Sequence, residues 1–320
     1  MVAVVLVVAG GGYFLANHLL SSIHRIPNIT ALDAVNQPVM PAASRHSMTV
    51  LLTGSRIVPT HIGGRGTLGS STAPEDGSGL IALVHLNSGG HAGAVVNIPT
   101  DSIVTIPGHG RREIWRALTL GGPSLLIRTV ELLTNVRIQH YSVLSLQGAV
   151  HVVNALNGVE VDVPHQVQSL GHTFHKGMNL LKGGDVLPYV RQPLVTEVTR
   201  TLLQQNLIRT MLDKIAHQRL FASPSVDYRE LKAMSGALSV DSNFSNSQIE
   251  SLALDLGYLH GKDGTFVSAP VVTPPAGHSI TNSTQLRKVL CGKLWDAIRH
   301  DAVAAYARRY PFTVTPGAPG

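Results

Sequence analysis

The side chains of this chain that could do chemistry are few and scattered. Its sixteen histidines include one close pair, His172 and His175 in the stretch GHTFHKG. Two imidazoles three positions apart are half of a zinc site, but no cysteine and few acids lie near them, so the pair reads as part of a loop or turn. Histidine titrates near pH 6.5 and would suit a pH sensor, yet nothing in the sequence places the histidines together. The single cysteine, Cys291, excludes an internal disulfide, a zinc ribbon, iron–sulfur ligation and a C-x-x-C redox site. No G-x-S-x-G occurs, so the signature of Ser-His-Asp hydrolysis is missing. Taken alone, Asp101 behind Pro99 and Thr100 is a turn residue or helix cap. Arg191 beyond a strand and Arg200 early in a long helix are equally surface charges on a basic protein, and Gln204 and Gln205 are contacts of a helix face with solvent.

The chain that must position these groups has 320 residues, 44% hydrophobic and 14% charged, enough to bury a full-sized core. No internal repeat stands out, which disfavours a solenoid or propeller. A formal net charge of +6 suits an anionic partner such as a phosphorylated substrate or a membrane surface. The 25 basic residues are too dilute to form a stripe along a phosphate backbone, so nucleic acid is not expected as a partner.

Met1–Leu20 has no Asp, Glu, Lys or Arg and is long enough to span a bilayer, which needs about 20 apolar residues. Residues 1–21 are therefore expected to be an uncleaved transmembrane anchor; a signal peptide and a valine-rich core strand are the competing readings. Arg25 follows the segment and no Lys or Arg precedes it, so positive-inside counting alone would put the main domain in the cytoplasm. Residues 22–47, with Pro27, Pro38 and Pro41, have the composition of a stalk. Met48–Thr53 predicts a buried strand, and Leu80–Leu86 with Ala94–Ile98 an antiparallel hairpin. Between them His61–Gly79 holds six glycines and reads as a long mobile loop. Helices are predicted over Ser124–Leu133, Val143–Leu156, Thr196–His217, Ser247–Leu259 and Ser283–His300, and strands over Val159–Val163 and Phe266–Val272. The interleaving makes this an α/β or α+β chain with a mixed sheet. The main domain is expected over residues 48–275, a helical extension over 276–309 and a disordered tail over 310–320.

The order of motifs resembles the LytR-CpsA-Psr family of cell-envelope proteins over about Met48–Val272. Ile98-Pro99-Thr100-Asp101 is similar to that family's I-P-R-D turn, and Ala117–Pro123 to its A-x-x-x-G-G-P. Ile138-Gln139-His140-Tyr141 resembles I-D-H-Y, and Val153–Val159 resembles L-V-D-A-L-G-G-V. Phe174–Gly177, Leu187–Arg191 and Arg200–Gln205 resemble F-x-x-G, A-L-x-Y-V-R and R-x-x-R-Q-Q. The resemblance implies a single-pass membrane protein whose main domain is extracytoplasmic, has an α/β (α-β-α) fold with a mixed central sheet and encloses a hydrophobic tunnel for a polyprenyl tail. It further implies a phosphotransferase that passes a cell-wall glycopolymer from a polyprenyl phosphate lipid to peptidoglycan. Arginine forks would hold the pyrophosphate and aspartate would hold Mg²⁺. Carried onto this sequence, Asp101 would hold metal, Arg191 and Arg200 would bind phosphate and act in catalysis, and Arg56 and Gln205 would add substrate contacts.

The departures from the family's pattern fall on charges. Gly54-Ser55-Arg56-Ile57 stands where the family has G-x-D-x-R, and Gly77-Ser78-Gly79-Leu80 where it has R-S-D-T. Thr100 replaces the arginine of I-P-R-D, Glu113-Ile114-Trp115 stands for K-I-N, Arg191-Gln192-Pro193 shortens Y-V-R-x-R, and Leu203 replaces the second arginine of R-x-x-R-Q-Q. A positioned charge that stabilises a transition state is worth a few kcal/mol. The expectation is therefore a domain that still binds a polyprenyl-linked phosphate but transfers weakly or not at all; the alternatives are a non-catalytic scaffold and a cytoplasmic regulator.

Overall fold

The structure, a computed structural model, describes residues 23–33, 35–55, 79–89, 92–192, 203, 206–211, 214, 238–256, 264–272 and 284–314. The predicted anchor and the glycine-rich loop over 61–78 lie outside these residues. Among the described residues no helix is long and apolar enough to cross a membrane.

The strands are β1 (His24–Ile26), β2 (Met48–Ser55), β3 (Ile81–Leu86), β4 (Gly93–Asn97), β5 (Ile103–Ile106), β6 (Gly110–Glu113), β7 (His140–Ser145), β8 (Val159–Val163), β9 (Val167–Ser169), β10 (His172–Phe174), β11 (Gly177–Leu181), β12 (Leu238–Asp241) and β13 (Gly264–Ser268). Helices are α1 (Arg116–Thr134), α2 (Leu146–Ala155), α3 (Val186–Val190), α4 (Asn246–Leu256), α5 (Lys288–Arg299) and α6 (Val303–Arg309). Seven strands form one mixed sheet in the order β1-β12-β7-β2-β3-β4-β13, and β5–β6, β8–β11 and β9–β10 are separate two-stranded ribbons.

The period-two alternation of β2, β3 and β4 divides their side chains between two apolar layers. Leu51, Leu83 and Val96 face α1 and the α5–α6 pair, through Leu126, Ile127, Leu294, Trp295 and Ile298. Val50, Val84 and Val95 face the other way, toward Phe244, Ile249 and Leu252 before and within α4. A third cluster, formed by α2, β8, α3 and residues 203–211, packs Val153, Val161, Phe174, Leu207 and Met211 together. The sheet is thus covered on both faces, as the α-β-α expectation requires.

The hairpin prediction holds: β3 and β4 pair antiparallel, with Val84 opposite Val95. β2 runs two residues past its predicted end because Gly54 lets the backbone approach Leu80, whose Cβ would lie 2.9 Å from any Cβ at this position. The helix predicted over Ser124–Leu133 is the second part of α1. Gly122, at φ 65, breaks the helix before Pro123, since a proline disfavours α conformation in the residue ahead of it.

Four boundaries are corrected. Residues 22–47 are not a stalk: β1 pairs parallel with β12, and Ile23, Ile26 and Ile29 are buried, so apolar spacing overrides proline content. The helix predicted from Val143 begins only at Leu146, because Val143 and Leu144 pair with β12 and the Ser145 side chain caps α2 by accepting from Gly148 N–H. The helix predicted over Ser283–His300 is α5 alone, starting at Lys288, and α6 follows it. The tail from Tyr310 is ordered through Val314, which bridges to Val267 behind a 3-10 turn at Pro311–Thr313.

The α5–α6 corner is tied to the sheet through polar atoms. His85 is 2% exposed in a strand whose six residues are all buried. Its Nδ1 lies 2.9 Å from Thr49 Oγ1 and its Nε2 2.9 Å from Asp301 Oδ1. Asp301 also accepts from Ser88 N–H at 2.9 Å. Burial alone would push the Asp301 carboxyl up, but the hydrogen bonds from His85 and Ser88 reverse the sign and hold it below the usual range. A lowered carboxylate contributes stability above its unfolded pKa near 3.9, lost as the pH falls through the lower folded value. His85→Ala leaves two buried groups without this partner and is expected to cost about 2–4 kcal/mol in urea unfolding of the whole chain. Asp301→Asn should remove the acid-side loss that sets in as the pH falls below about 4; an unchanged profile would show that the pair is idle.

Glu131 on α1 has the opposite sign. Burial pushes its carboxyl to about 7, against the Ile138 N–H it accepts at 3.0 Å and the charges of Arg137 and Arg128. A raised carboxyl contributes its full stability below the ordinary value near 4.5 and loses it as the pH rises through about 7. Glu131→Gln keeps an acceptor for Ile138 and should stabilise the fold at pH 8 by on the order of 2 kcal/mol, an advantage that vanishes near pH 4. Thermal melts at the two pH values measure it.

Candidate functional site

Of the five residues singled out by sequence, Arg56, Arg200 and Gln205 lie outside the described residues. Asp101 and Arg191 are described, and they have different neighbours.

Asp101 sits in the corner between β4 and β5. Ser102 N–H closes a turn onto Pro99 O at 3.1 Å, and Trp115 N–H reaches Thr100 O at 3.2 Å, so the I-P-T-D segment is fixed between the sheet and the start of α1. The Asp101 carboxylate accepts from the Thr284 hydroxyl, and its carbonyl accepts from Thr284 N–H at 3.1 Å. A residue close to the C-terminal helices thus occupies part of its coordinating capacity. Among the described residues no group of three or more His, Cys, Asp or Glu is arranged to hold a metal ion, so a closed protein cage does not fit here. Mg²⁺ is less demanding: it takes one or two carboxylates and fills its shell with phosphate oxygens and water. Asp101 can offer that much.

Arg191 is not beyond a strand, as the sequence suggested, but at the C-terminal end of the short helix α3. Its N–H closes the helix onto Leu187 O at 3.1 Å, and its carbonyl accepts from Ser169 Oγ at 3.0 Å. The guanidinium does something different. Its Nη2 is buried and has no hydrogen-bond partner among the described residues, and the same holds for Gln192 Nε2 next to it and for Asn206 Oδ1. Asn206 is brought to this place by its Nδ2, which donates to Tyr189 Oη at 3.0 Å. Burial pushes the Tyr189 phenol to about 12, raised further by the charge of Asp162 and opposed by the Asn206 hydrogen bond. It is a neutral post.

The end of α3 therefore carries a cationic donor and an amide donor whose hydrogen-bonding capacity is unused. Burying a polar group without a partner costs about 1–3 kcal/mol, more for a charged one, and a native fold keeps such a group mainly where something else satisfies it. The adjoining cluster of Val153, Val161, Phe174, Leu207 and Met211, against which Val190 packs, is wholly apolar. Cationic and amide donors at the edge of an apolar lobe are complementary to an amphiphile with an anionic head.

The pair His172 and His175 belongs to no group of three or more His, Cys, Asp or Glu among the described residues. His172 is in β10 rather than in a loop, and its Nδ1 pairs with Asp185 Oδ1 at 2.7 Å. Two buried polar networks were not anticipated. One is Thr49–His85–Asp301, which has the residue types of a hydrolytic triad but whose Thr49 and His85 are each 2% exposed, out of reach of a substrate. The other joins His140 Nδ1 to Asp241 Oδ2 at 3.1 Å beneath a stacked Phe244 ring. Their signal in the sequence was a histidine inside an otherwise apolar strand.

Comparison with known proteins agrees with this geometry. The profile described as the LytR_cpsA_psr family matches residues 21–261. The polyisoprenyl-teichoic acid–peptidoglycan teichoic acid transferase TagU of Enterococcus faecalis is 29% identical over 170 residues, 52% of this chain and 55% of that protein. The chain thus matches little more than half the length of this curated relative. The solved structure of TagV from B. subtilis superposes with a TM-score of 0.61 at 19% identity, covering 80% of this chain and 98% of that one. A structure of TagT bound to LIIa-WTA superposes at 0.59 and 22% identity, covering 84% of this chain and 96% of that one. These structures share the fold. With a family match over three-quarters of its length and the same mixed sheet, the chain belongs to the LytR_cpsA_psr family.

Proposed function

We propose that this protein is an extracytoplasmic, membrane-anchored domain that binds a polyprenyl (pyro)phosphate-linked glycopolymer in cell-wall assembly, and that its transfer of that polymer to peptidoglycan is weak or lost. The observation that carries the reading is the buried Arg191 Nη2 with no partner among the described residues, next in sequence to Val190, which packs on the apolar cluster of α2, α3 and β8. A phosphate head would supply the missing acceptor, and charge-assisted hydrogen bonds to arginine are about twice as strong as neutral ones. A polyprenyl tail has the chemistry of the apolar lobe. Relatives support the substrate class, since TagU is named for teichoic acid transfer from a polyisoprenyl carrier.

Transfer would break the bond from the carrier phosphate to the polymer phosphorus and form a new one from a peptidoglycan hydroxyl oxygen. The residues of this chain could hold the phosphate through Arg191 and Arg200, with Arg56 and Gln205 beside it. Mg²⁺ would be shared between Asp101, phosphate oxygens and water. What is missing is the family's remaining charges: Thr100, Glu113 and Leu203 stand where Arg, Lys and Arg are found in its motifs. Removal of one positioned group of this kind typically costs about 10²–10³ in turnover. Several together leave binding without efficient chemistry, which also supports a scaffold as the second reading.

The test is to incubate the full chain, purified in detergent, with a polyprenyl pyrophosphate and to measure bound lipid and released phosphate by mass spectrometry. Wild type should bind lipid. Arg191→Ala should weaken binding about tenfold or more, the worth of a charge-assisted hydrogen bond, and Arg191→Lys should recover part of it. Phosphate release should be at least about a hundredfold slower than that of TagU assayed alongside. Asp101→Ala should leave binding in the presence of a chelator unchanged. Equal lipid binding by wild type and Arg191→Ala would overturn the site, and release at the rate of TagU would overturn the weakened chemistry.

A further inference from the structure

The segment from Leu286 to Val314 lies beyond the family match and contains six Lys or Arg against two Asp, which is +4 of the chain's formal +6. Both acids are committed: Asp296 pairs with Arg299 at 2.9 Å, and Asp301 is held by His85 and Ser88. Arg287, Lys288, Lys293, Arg308 and Arg309 thus have no carboxylate partner among the described residues, and Lys288, Lys293, Arg308 and Arg309 are exposed.

The same edge exposes apolar surface. Val289 is 74% exposed and Phe312 is 64% exposed. Val289 and Lys293 are one turn apart on α5 and so share a face. Lys293 Nζ donates to Tyr310 Oη at 3.0 Å, and the Tyr310 ring meets Phe312 edge-on at 6.2 Å. Val289, Lys293, Tyr310 and Phe312 therefore form one continuous strip, with Arg309 also bonded to the Tyr310 hydroxyl. Exposed Gly292 on the same helix adds no side chain to raise the surface, and a Cβ there would meet nothing within 4 Å. The strip is a low surface of cations interleaved with an aliphatic and two aromatic groups.

We propose that the α5–α6 edge is a docking surface for a bilayer that carries anionic lipids. Lysine and arginine draw a protein to such a surface, aromatic rings sit at headgroup level, and a protruding Val or Phe enters the acyl boundary. A soluble polyanion would use the cations but would give no account of exposed Val289 and Phe312. The proposal does not depend on lipid-substrate binding at Arg191, and none of its residues belongs to that site.

Because Met1–Leu20 is itself apolar, retention on vesicles is not a useful readout; the environment of the strip is. Val289→Cys can be labelled with an environment-sensitive maleimide, since native Cys291 is buried and its thiol is pushed up to about 12. The labelled full chain is reconstituted into phosphatidylcholine vesicles with and without phosphatidylglycerol, and quenching by nitroxide lipids is measured. The label at position 289 should be quenched at least fivefold more with phosphatidylglycerol. A label at Val39→Cys, another highly exposed position, should stay solvent-like in both. Lys288→Glu with Arg308→Glu, two exposed cations without partners, should abolish the difference. Absence of quenching at 289, quenching independent of anionic lipid or of the charge reversal, or a response to soluble polyphosphate but not to vesicles would each overturn the proposal.

Discussion

The double burial of the central strands constrains everything else. β2 lies between β3 and β7, and the neighbouring side chains on both of its faces are covered by helices, so water is not at hand for any polar group placed there. Burying an unsatisfied polar group costs a sizeable fraction of a domain's net stability. Polar side chains buried in this region are accordingly bonded to other elements: Thr49 to His85, Thr53 to Tyr141 at 2.8 Å, and His140 to Asp241. These bonds join parts distant in sequence. Through His85 and Asp301 the C-terminal helices become part of the sheet's cover instead of an appendage, and through His140 and Asp241 the strand β12, which lies between β1 and β7, is tied to β7.

That constraint also separates structural from functional polarity. Thr49, His85 and Asp301 have the elements of a catalytic triad, but each partner is satisfied by the next and both Thr49 and His85 are buried. Arg191 Nη2, Gln192 Nε2 and Asn206 Oδ1 are buried atoms too, yet they have no hydrogen-bond partner among the described residues. The first arrangement minimises the energy of the fold alone. The second makes sense when a ligand is counted, and it occurs at the edge of the lobe formed by α2, α3 and β8 rather than between the central strands. Binding and stability are assigned to different parts of the molecule, so loss of charges at the candidate site leaves the fold intact.

Local patterns were legible where one period governed a segment. The β3–β4 hairpin, the later part of α1 and α4 all follow from apolar spacing and turn residues, and the doubly covered sheet follows from their alternation. What the sequence concealed depended on long-range partners. Nothing within residues 22–47 announces that His24–Ile26 will pair with β12, more than two hundred positions later, and the prolines there argue for a stalk. Asp101 matched a motif, but its bond to Thr284 joins segments with no shared pattern. Arg191 was legible as a candidate by its place after Tyr189-Val190, whereas the burial of its Nη2 was not, because burial is set by packing between segments distant in sequence. Histidines showed the same limit: the conspicuous pair in GHTFHKG is a surface matter, and lone His85 within an apolar strand anchors the C-terminal helices.

The distribution of charge follows from these divisions. A basic protein that binds an anionic head would be expected to gather its charge at the binding site, and along this sequence the excess accumulates instead on the last two helices. Their inward faces are fully engaged by Leu294, Trp295, Ile298 and Tyr306, and their two acids are tied to Arg299 and to His85. Packing therefore does not explain the outward lysines and arginines, and solubility does not call for Phe312 and Val289 among them. An exposed strip that is both cationic and apolar is costly in water unless it meets a surface with the same two characters. The sheet fixes where that strip points, since the His85–Asp301 bond sets the position of the turn from α5 to α6; the buried polar network thereby governs an orientation at the molecular surface as well as the stability of the core.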